Sequence, residues 1–418
     1  MQTLVKTIGK TLAGTLLAVP FMVQAAPSYD SLKSTLDKLK QQMEEVQKAL
    51  DEQKKQSASK TDVRMLEKKI DSAAEWKSPN TLVHMAGYAS VGYTDSKNSN
   101  GSFNSGGFSP IFHFQYRDLV MLESELEFEI EPDGSTTVGM EYMTVDLFLN
   151  DYVTLVAGQF LSPIGQFRQN LHPSWINKMP SAAPGFGHDG AAPTSDTGIQ
   201  LRGGFPLGSA RANYAVFVSN GPELTTEYDG SGFELDGIKA EGFARDFDGK
   251  KVWGGRFGIL PVPKLELGIS AASGKTTVTS TEVTAGTAPA LAGEAPRDYD
   301  VIGFDFAWQY KNLKTRGEYI RSKVGAASAG TSASGGATWS TWYTQAAYRF
   351  MPSKYEGVIR YANFNAPGAA KDQKQVAVGL NYLFANNVVA KIAYENNRGQ
   401  NGSTADENRV LVQLAYGF

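Results

Sequence analysis

The closing residues Arg409–Phe418, RVLVQLAYGF, alternate almost without a break. Successive side chains of an extended strand point to opposite faces, so Val410, Val412, Leu414, Tyr416 and Phe418 share one face while Arg409, Gln413 and Gly417 share the other. Residues 374–384 repeat the pattern, with Val376, Val378, Leu380, Tyr382 and Phe384 opposite Gln375, Ala377, Gly379 and Asn381. Working back towards residue 81, similar two-faced stretches recur, among them 82–94, 108–118, 120–131, 136–149, 263–273 and 299–311, and the total is sixteen. Some joins are tight, such as Leu119, Pro206-Leu207-Gly208 and Met351-Pro352-Ser353. Others are long and rich in Gly, Ser, Ala and Asp, at 161–196, 220–250, 274–298 and 323–337. Short turns tending to alternate with long polar loops are the pattern of a transmembrane barrel. A soluble sandwich also alternates, but it buries its apolar faces in pairs and rarely needs so many long strands.

Aromatic residues sit near many strand ends, for example Tyr88, Tyr116, Tyr142, Tyr152, Trp308, Tyr310, Tyr348, Tyr382 and Tyr416. Rings with an apolar body and a wet end collect at lipid interfaces, and these positions are expected there. The expected fold class is all-β, a 16-stranded antiparallel transmembrane β-barrel over residues 81–418, preceded by a short α-helical coiled coil. Sixteen strands leave an aqueous lumen open, whereas eight would be filled by side chains.

The first 25 residues combine Lys6 and Lys10, the apolar stretch TLAGTLLAVPFMV and Val23-Gln24-Ala25, which reads as a signal peptide over 1–25. A single membrane anchor is the alternative, but the apolar part is too short for it. Over 26–77, Leu32, Leu36, Leu39, Met43, Val46 and Leu50 step by 4, 3, 4, 3, 4, and the seam resumes with Val63, Leu66 and Ile70. That spacing keeps one narrow seam facing partner helices. Ser78-Pro79-Asn80 ends the segment.

Composition removes other classes. With no cysteine there are no thiolate sites or disulfides, and a net charge of -3 gives no nucleic-acid partner. Only four His are present, no Ser-His-acid grouping falls on neighbouring strands, and no catalytic residues, cofactor or metal are expected.

Val156–Phe167 contains VAGQFLSPIGQF, and Gly198–Glu223 reads GIQLRGGFPLGSARANYAVFVSNGPE. Both resemble the phosphate-selective porin O and P superfamily, and the coil ahead of the barrel is similar to DcaP-like dicarboxylate porins. The resemblance implies a homotrimer of 16-stranded barrels with an inward-folded third loop. The terminal Phe resembles the signal read by the barrel assembly machinery of the outer membrane. A Gram-negative outer membrane, with the coil in the periplasm and lipid around the barrel, is therefore the expected setting.

Alternation assigns the lumen face. It puts Glu123, Glu125, Glu127, Glu129 and Glu131 in one acidic ladder, with His113, Gln115 and Arg117 on the strand before it. Elsewhere the inward positions are mostly basic: Arg202, Arg211, Arg256, Lys314, Arg316, Arg349, Arg360 and Arg409. A guanidinium keeps its charge and offers a planar fork to carboxylate or phosphate. For any one arginine, pairing with a lumen carboxylate such as Asp305, Glu318 or Glu356 is the expected state. Taken together, a basic wall opposite the ladder creates a transverse field. The constriction loop is expected at 161–196, carrying Arg168, His172, Trp175, Lys178, His188, Asp189 and Asp196, with an external loop as the alternative. His172 and His188 read as loop hydrogen-bonders, since no second ligand stands at metal spacing. The phosphate channels have a strongly cationic lumen, whereas acids here match lysines in number, so their anion-binding residues are not carried over.

The resulting expectation is an outer-membrane porin for passive diffusion of small hydrophilic solutes, favouring organic anions such as dicarboxylates. The alternative is a structural tether with incidental channel activity.

Overall fold

The structure is a computed structural model that describes residues 29–56, 81–97, 99–187, 190–367, 372–399 and 407–418. The chain divides into two units, Met1–Trp76 and Lys77–Phe418. In the first, α1 (Tyr29–Gln56) is one continuous helix. Its seam residues Leu36, Leu39, Met43 and Val46 are all exposed. The signal-peptide segment and the second half of the seam, with Val63, Leu66 and Ile70, lie outside the described residues.

In the second unit the strands are, in chain order, β1 (Thr81–Ser96), β2 (Ser99–Asn104), β3 (Phe108–Tyr116), β4 (Val120–Ile130), β5 (Thr136–Asn150), β6 (Val153–Leu161), β7 (Ser195–Leu207), β8 (Ala210–Ser219), β9 (Glu223–Tyr228) and β10 (Phe233–Lys239). They continue with β11 (Val252–Val262), β12 (Leu265–Val283), β13 (Arg297–Tyr310), β14 (Leu313–Val324), β15 (Ala337–Arg349), β16 (Tyr355–Asn365), β17 (Gln373–Ala385), β18 (Val388–Gly399) and β19 (Arg409–Gly417). Of these nineteen, β2, β9 and β10 belong to loops, and the other sixteen form one antiparallel wall. The wall closes where β19 pairs with β1, from Tyr88 opposite Gly417 to Ser96 opposite Arg409. Closure leaves no unpaired edge, which a spanning sheet needs because lipid offers no hydrogen bonds.

The long loops all fall at one end of the barrel, and the tight turns fall at the other except for the five-residue β4–β5 connection at 131–135. The outer face carries an apolar band, with Val376, Val378, Leu380, Ile392, Val412 and Leu414 all exposed, while their inward neighbours Gln375, Ala377 and Asn381 are buried. Near the turn end an outward belt of rings forms, including Trp308 stacked on Tyr310 with centroids 5.7 Å apart and Tyr355 against Tyr382 at 5.1 Å. Tyr88 and Tyr142 do not join a belt. They point into the lumen, where each phenol donates to a glutamate: Tyr88 to Glu125 at 2.6 Å and Tyr142 to Glu123 at 2.8 Å. Phe418 does face outward, and its backbone N–H and C=O bond with Gly87 at 2.9 and 3.1 Å. A Cβ at Gly87 would lie 2.5 Å from the Ser109 backbone oxygen and 2.8 Å from the Phe418 ring, so only glycine fits.

Two segments expected as loops are partly strand. β12 runs on to Val283, and its outer half, Thr277–Val283, pairs in parallel with β9, which forms a hairpin with β10. The backbone groups of these polar residues thus find partners within the loops.

Candidate functional site

The segment between β6 and β7 enters the barrel. It begins with the short helix α2 (Phe167–Leu171), whose first turn is held by Glu318 of β14. That carboxylate accepts from the backbone N–H of Gln166 at 2.9 Å and of Phe167 at 3.2 Å, and from the Tyr343 hydroxyl at 2.8 Å. The loop then runs along the inside of the wall, meeting one strand after another. The Ser322 hydroxyl of β14 donates to Ala191 O at 2.7 Å, Thr341 of β15 to Pro184 O at 2.6 Å, and Arg360 of β16 to Ser181 O at 2.8 Å. Asn381 of β17 donates to Lys178 O at 3.0 Å, and Lys391 of β18 donates to Ser174 O. On β19, Gly417 makes room for Trp175: a Cβ there would lie 2.6 Å from the indole.

Apolar packing fills the space behind this belt. Phe160, Ile164, Phe167, Leu171, Phe186 and Ala191 are buried against wall residues including Ile320, Trp339, Tyr343 and Phe364. Met179 is buried among Ala347, Val358, Ala377 and Ala393. The loop therefore turns one flank of the lumen into a core.

The inward charges are mostly paired. Arg202 bonds Asp146. Arg256 reaches Asp305 at 2.6 Å and Glu266 at 3.0 Å, Lys178 of the loop reaches Glu356 at 3.0 Å, and Arg409 reaches Glu395 at 2.7 Å. Of the three carboxylates expected to balance arginines, only Asp305 does so, while Glu318 is consumed by the loop backbone and Glu356 by a lysine. Arg360 faces inward but is only 1% exposed, sealed under Ser181 and Ala182 with Gln375 and Glu395 as further partners.

A second set of cations stays open to water. Arg211, Lys314 and Arg316 have no hydrogen bond or ion pair among the described residues, and the Nε of Arg349 donates only to Ser353 O at 3.2 Å. Lys178, Arg316, Arg349 and Glu356 all lie within electrostatic reach of Lys314. On the opposite side Glu123 and Glu125 are occupied by tyrosines, Glu127 lies inward beside Gly139 of β5, and Glu129 is exposed opposite Thr137. Arg117 is not on the wall at all. It occupies the turn after β3 with φ 50°, its guanidinium 5.4 Å from the centroid of the Tyr116 ring.

Within the loop, Arg168 reaches Glu141 at 3.3 Å, and His172 bridges Arg168 O and Glu125, the latter at 3.6 Å. Asp196, expected in the loop, instead lies on β7, where it accepts from the Ser219 hydroxyl at 2.8 Å. His188 and Asp189 lie outside the described residues. Glu141 was invisible to simple alternation, because a bulge lets Glu125 face Tyr142 while Leu126 faces Met140, leaving Glu141 as the extra residue on β5. The bulge re-aims it inward. Lys391, by contrast, was legible, since it shares inward parity with Asn381 and Gln413.

The space left open forms a lane. A cavity of about 310 Å³ borders Glu123, Glu125, Tyr142 and His172. It shares Gln169, Asn170 and Arg202 with one of about 400 Å³ that includes Asn213, Arg256 and Glu266. Glu266 in turn borders a third of about 270 Å³ lined by Lys264, Lys314 and Arg316. A polar lane thus leads from glutamates past α2 to unpaired cations.

No curated protein matches the chain by sequence. Among solved structures, the anion-selective porin from Comamonas acidovorans superposes with a TM-score of 0.54 at 14% identity, covering 81% of this chain and 100% of that one. The outer membrane channel DcaP of Acinetobacter baumannii superposes at 0.53 and 11% identity, covering 82% and 99%. These likenesses concern the fold. A sequence profile described as phosphate-selective porin O and P matches residues 120–418, and the chain, an outer-membrane barrel with an inward loop and a polar lane, belongs to that porin family.

Proposed function

We propose that the barrel passes small hydrophilic solutes passively and favours small organic anions such as dicarboxylates. The observation that carries this reading is the imbalance of availability in the lumen: the side chains of Lys314, Arg316, Arg349 and Arg211 form no contact ion pair among the described residues, with Glu356 near Lys314 already taken by Lys178, whereas Glu123 and Glu125 are held by Tyr142 and Tyr88. An unpaired guanidinium or ammonium replaces part of an anion's hydration shell, and its position along a water-filled lane lets the solute leave again. Open cations along one side of the lane suit a solute whose charged ends are both anionic. The relative from Comamonas acidovorans is described as anion-selective, which accords with this reading. The functional unit in this proposal is a homotrimer in outer-membrane lipid, delivered by the barrel assembly machinery, with α1 forming a periplasmic coil through its exposed seam.

Reversal potentials in planar bilayers under a salt gradient test the preference. The wild-type protein should reverse on the anion side, and Lys314→Gln with Arg316→Gln should move it towards cations. Cation preference in the wild type overturns the anion reading. A folded barrel with no conductance favours instead a structural tether, a reading supported by the exposed Leu36, Leu39, Met43 and Val46 of α1.

A further inference from the structure

Three neighbouring strands place His84, His113 and Glu123 in one row: His84 is directly opposite His113, and His113 directly opposite Glu123. All three share the inward parity of Ala86, Ile111 and Glu125, near the turn end of the lumen. The imidazoles are drawn together, with Nδ1 to Nδ1 at 3.3 Å and ring centroids 5.4 Å apart. On its other side, Nε2 of His113 lies 3.4 Å from Oε1 of Glu123.

We propose that His84 and His113 form a site for a divalent transition-metal ion of the copper and zinc class, with Glu123 as the positioning carboxylate. Two nitrogens each about 2.0–2.1 Å from a tetrahedral ion such as zinc stand about 3.4 Å apart, which the present separation matches, and a tetragonal copper ion with cis nitrogens about 2.9 Å apart needs the rings to close by only about 0.4 Å. Glu123 draws the His113 Nε2–H towards itself, which selects the tautomer whose Nδ1 lone pair is free and raises its basicity. Imidazole nitrogen suits copper and zinc, and affinity for such a site peaks at copper. His84 is exposed and the His113 and Glu123 side chains are about one quarter exposed. An ion can therefore enter from water and complete its shell with water. The competing use of this geometry is a direct N–H···N hydrogen bond between the rings, with no ion.

Electron paramagnetic resonance of the full protein, without an added polyhistidine tag, titrated with Cu²⁺ separates the two. One ion per chain carrying the couplings of two imidazole nitrogens is expected. That signature should vanish in His84→Asn and in His113→Asn, while Glu123→Gln should keep it and weaken binding about 10- to 100-fold. The wild-type spectrum alone is decisive if a variant fails to assemble. A spectrum without two imidazole nitrogens, or one unchanged in both histidine variants, overturns the proposal.

Discussion

Arg316 and Arg360 are the same residue type with the same inward parity, yet they do different work. Arg316 is open to the lane, whereas Arg360 is one of the most deeply buried side chains and holds Ser181, Gln375 and Glu395 together. A buried ion pair that loses one partner costs about 3–5 kcal/mol where the remaining charge is uncompensated, and here Arg409 still reaches Glu395 at 2.7 Å, which places the cost at the low end of that range. Arg360→Met should therefore lower the unfolding free energy of the reconstituted barrel by that order, read from denaturant titration, and leave ion selectivity unchanged, because the guanidinium does not meet the solute. Arg316→Gln should do the reverse, shifting the reversal potential with stability held within about 0.5 kcal/mol. Alternation alone could assign both arginines to the inside. It could not tell them apart, because exposure depends on where Pro184, Ser181 and Lys178 cross the wall, a non-local matter that no strand carries in its own sequence.

Strands were the most readable elements, since one face meets lipid and the other a wet interior at every second residue. β18 illustrates the energetic consequence: Ile392 is exposed on the outer face between Leu380 and Val412. Placing a cation at mid-depth on the lipid face of a barrel costs about 2–4 kcal/mol. Ile392→Arg is expected to destabilise folding in phospholipid vesicles by that amount, while in urea-containing detergent without a bilayer the penalty should shrink. Less readable were the β9–β10 hairpin and the outer half of β12. Leu224, Leu235, Ile238 and Val278 are buried in the core, but Thr, Ser and Glu fill most of the other positions, so no regular two-faced alternation marks these strands in the sequence. Loop pinning follows the same logic at Glu294. Partial burial pushes its carboxyl up, but hydrogen bonds from Ser332 and Thr331 outweigh this and hold it below the usual carboxylate range. A group with a depressed folded pKa contributes stability above its unfolded value and loses it as pH falls through the folded one. The 290–294 and 331–332 segments should thus stay joined at neutral pH and separate in acid, with Glu294→Gln loosening them at every pH. Hydrogen exchange at the Thr331 and Ser332 amides, which donate to Glu294 at 2.8 and 3.1 Å, reads this directly.

At the scale of the whole molecule, the division into Met1–Trp76 and Lys77–Phe418 gives the barrel its own closed wall and core. Deleting residues 28–75 should leave a barrel that still migrates as a folded trimer on unheated gels, since in the proposed homotrimer wall-to-wall contact should dominate burial over one narrow helical seam. Disappearance of the trimer band after that deletion would place the assembly energy in the helix instead. Closure between β1 and β19 joins residues more than three hundred positions apart. Such pairing is slow because the loop entropy is spent before the contact forms, so refolding should show its last phase in probes at Tyr88 and Tyr416. The inward loop has a different kind of consequence. Its span is fastened at Gln166, Ser174, Lys178, Ser181, Pro184 and Ala191 to successive strands, and these links are half of them buried and half partly buried. Segments tied down by many buried contacts open only rarely. In electrical terms the protein should be a quiet conductor, whose open-channel current stays level from millisecond to second instead of flickering.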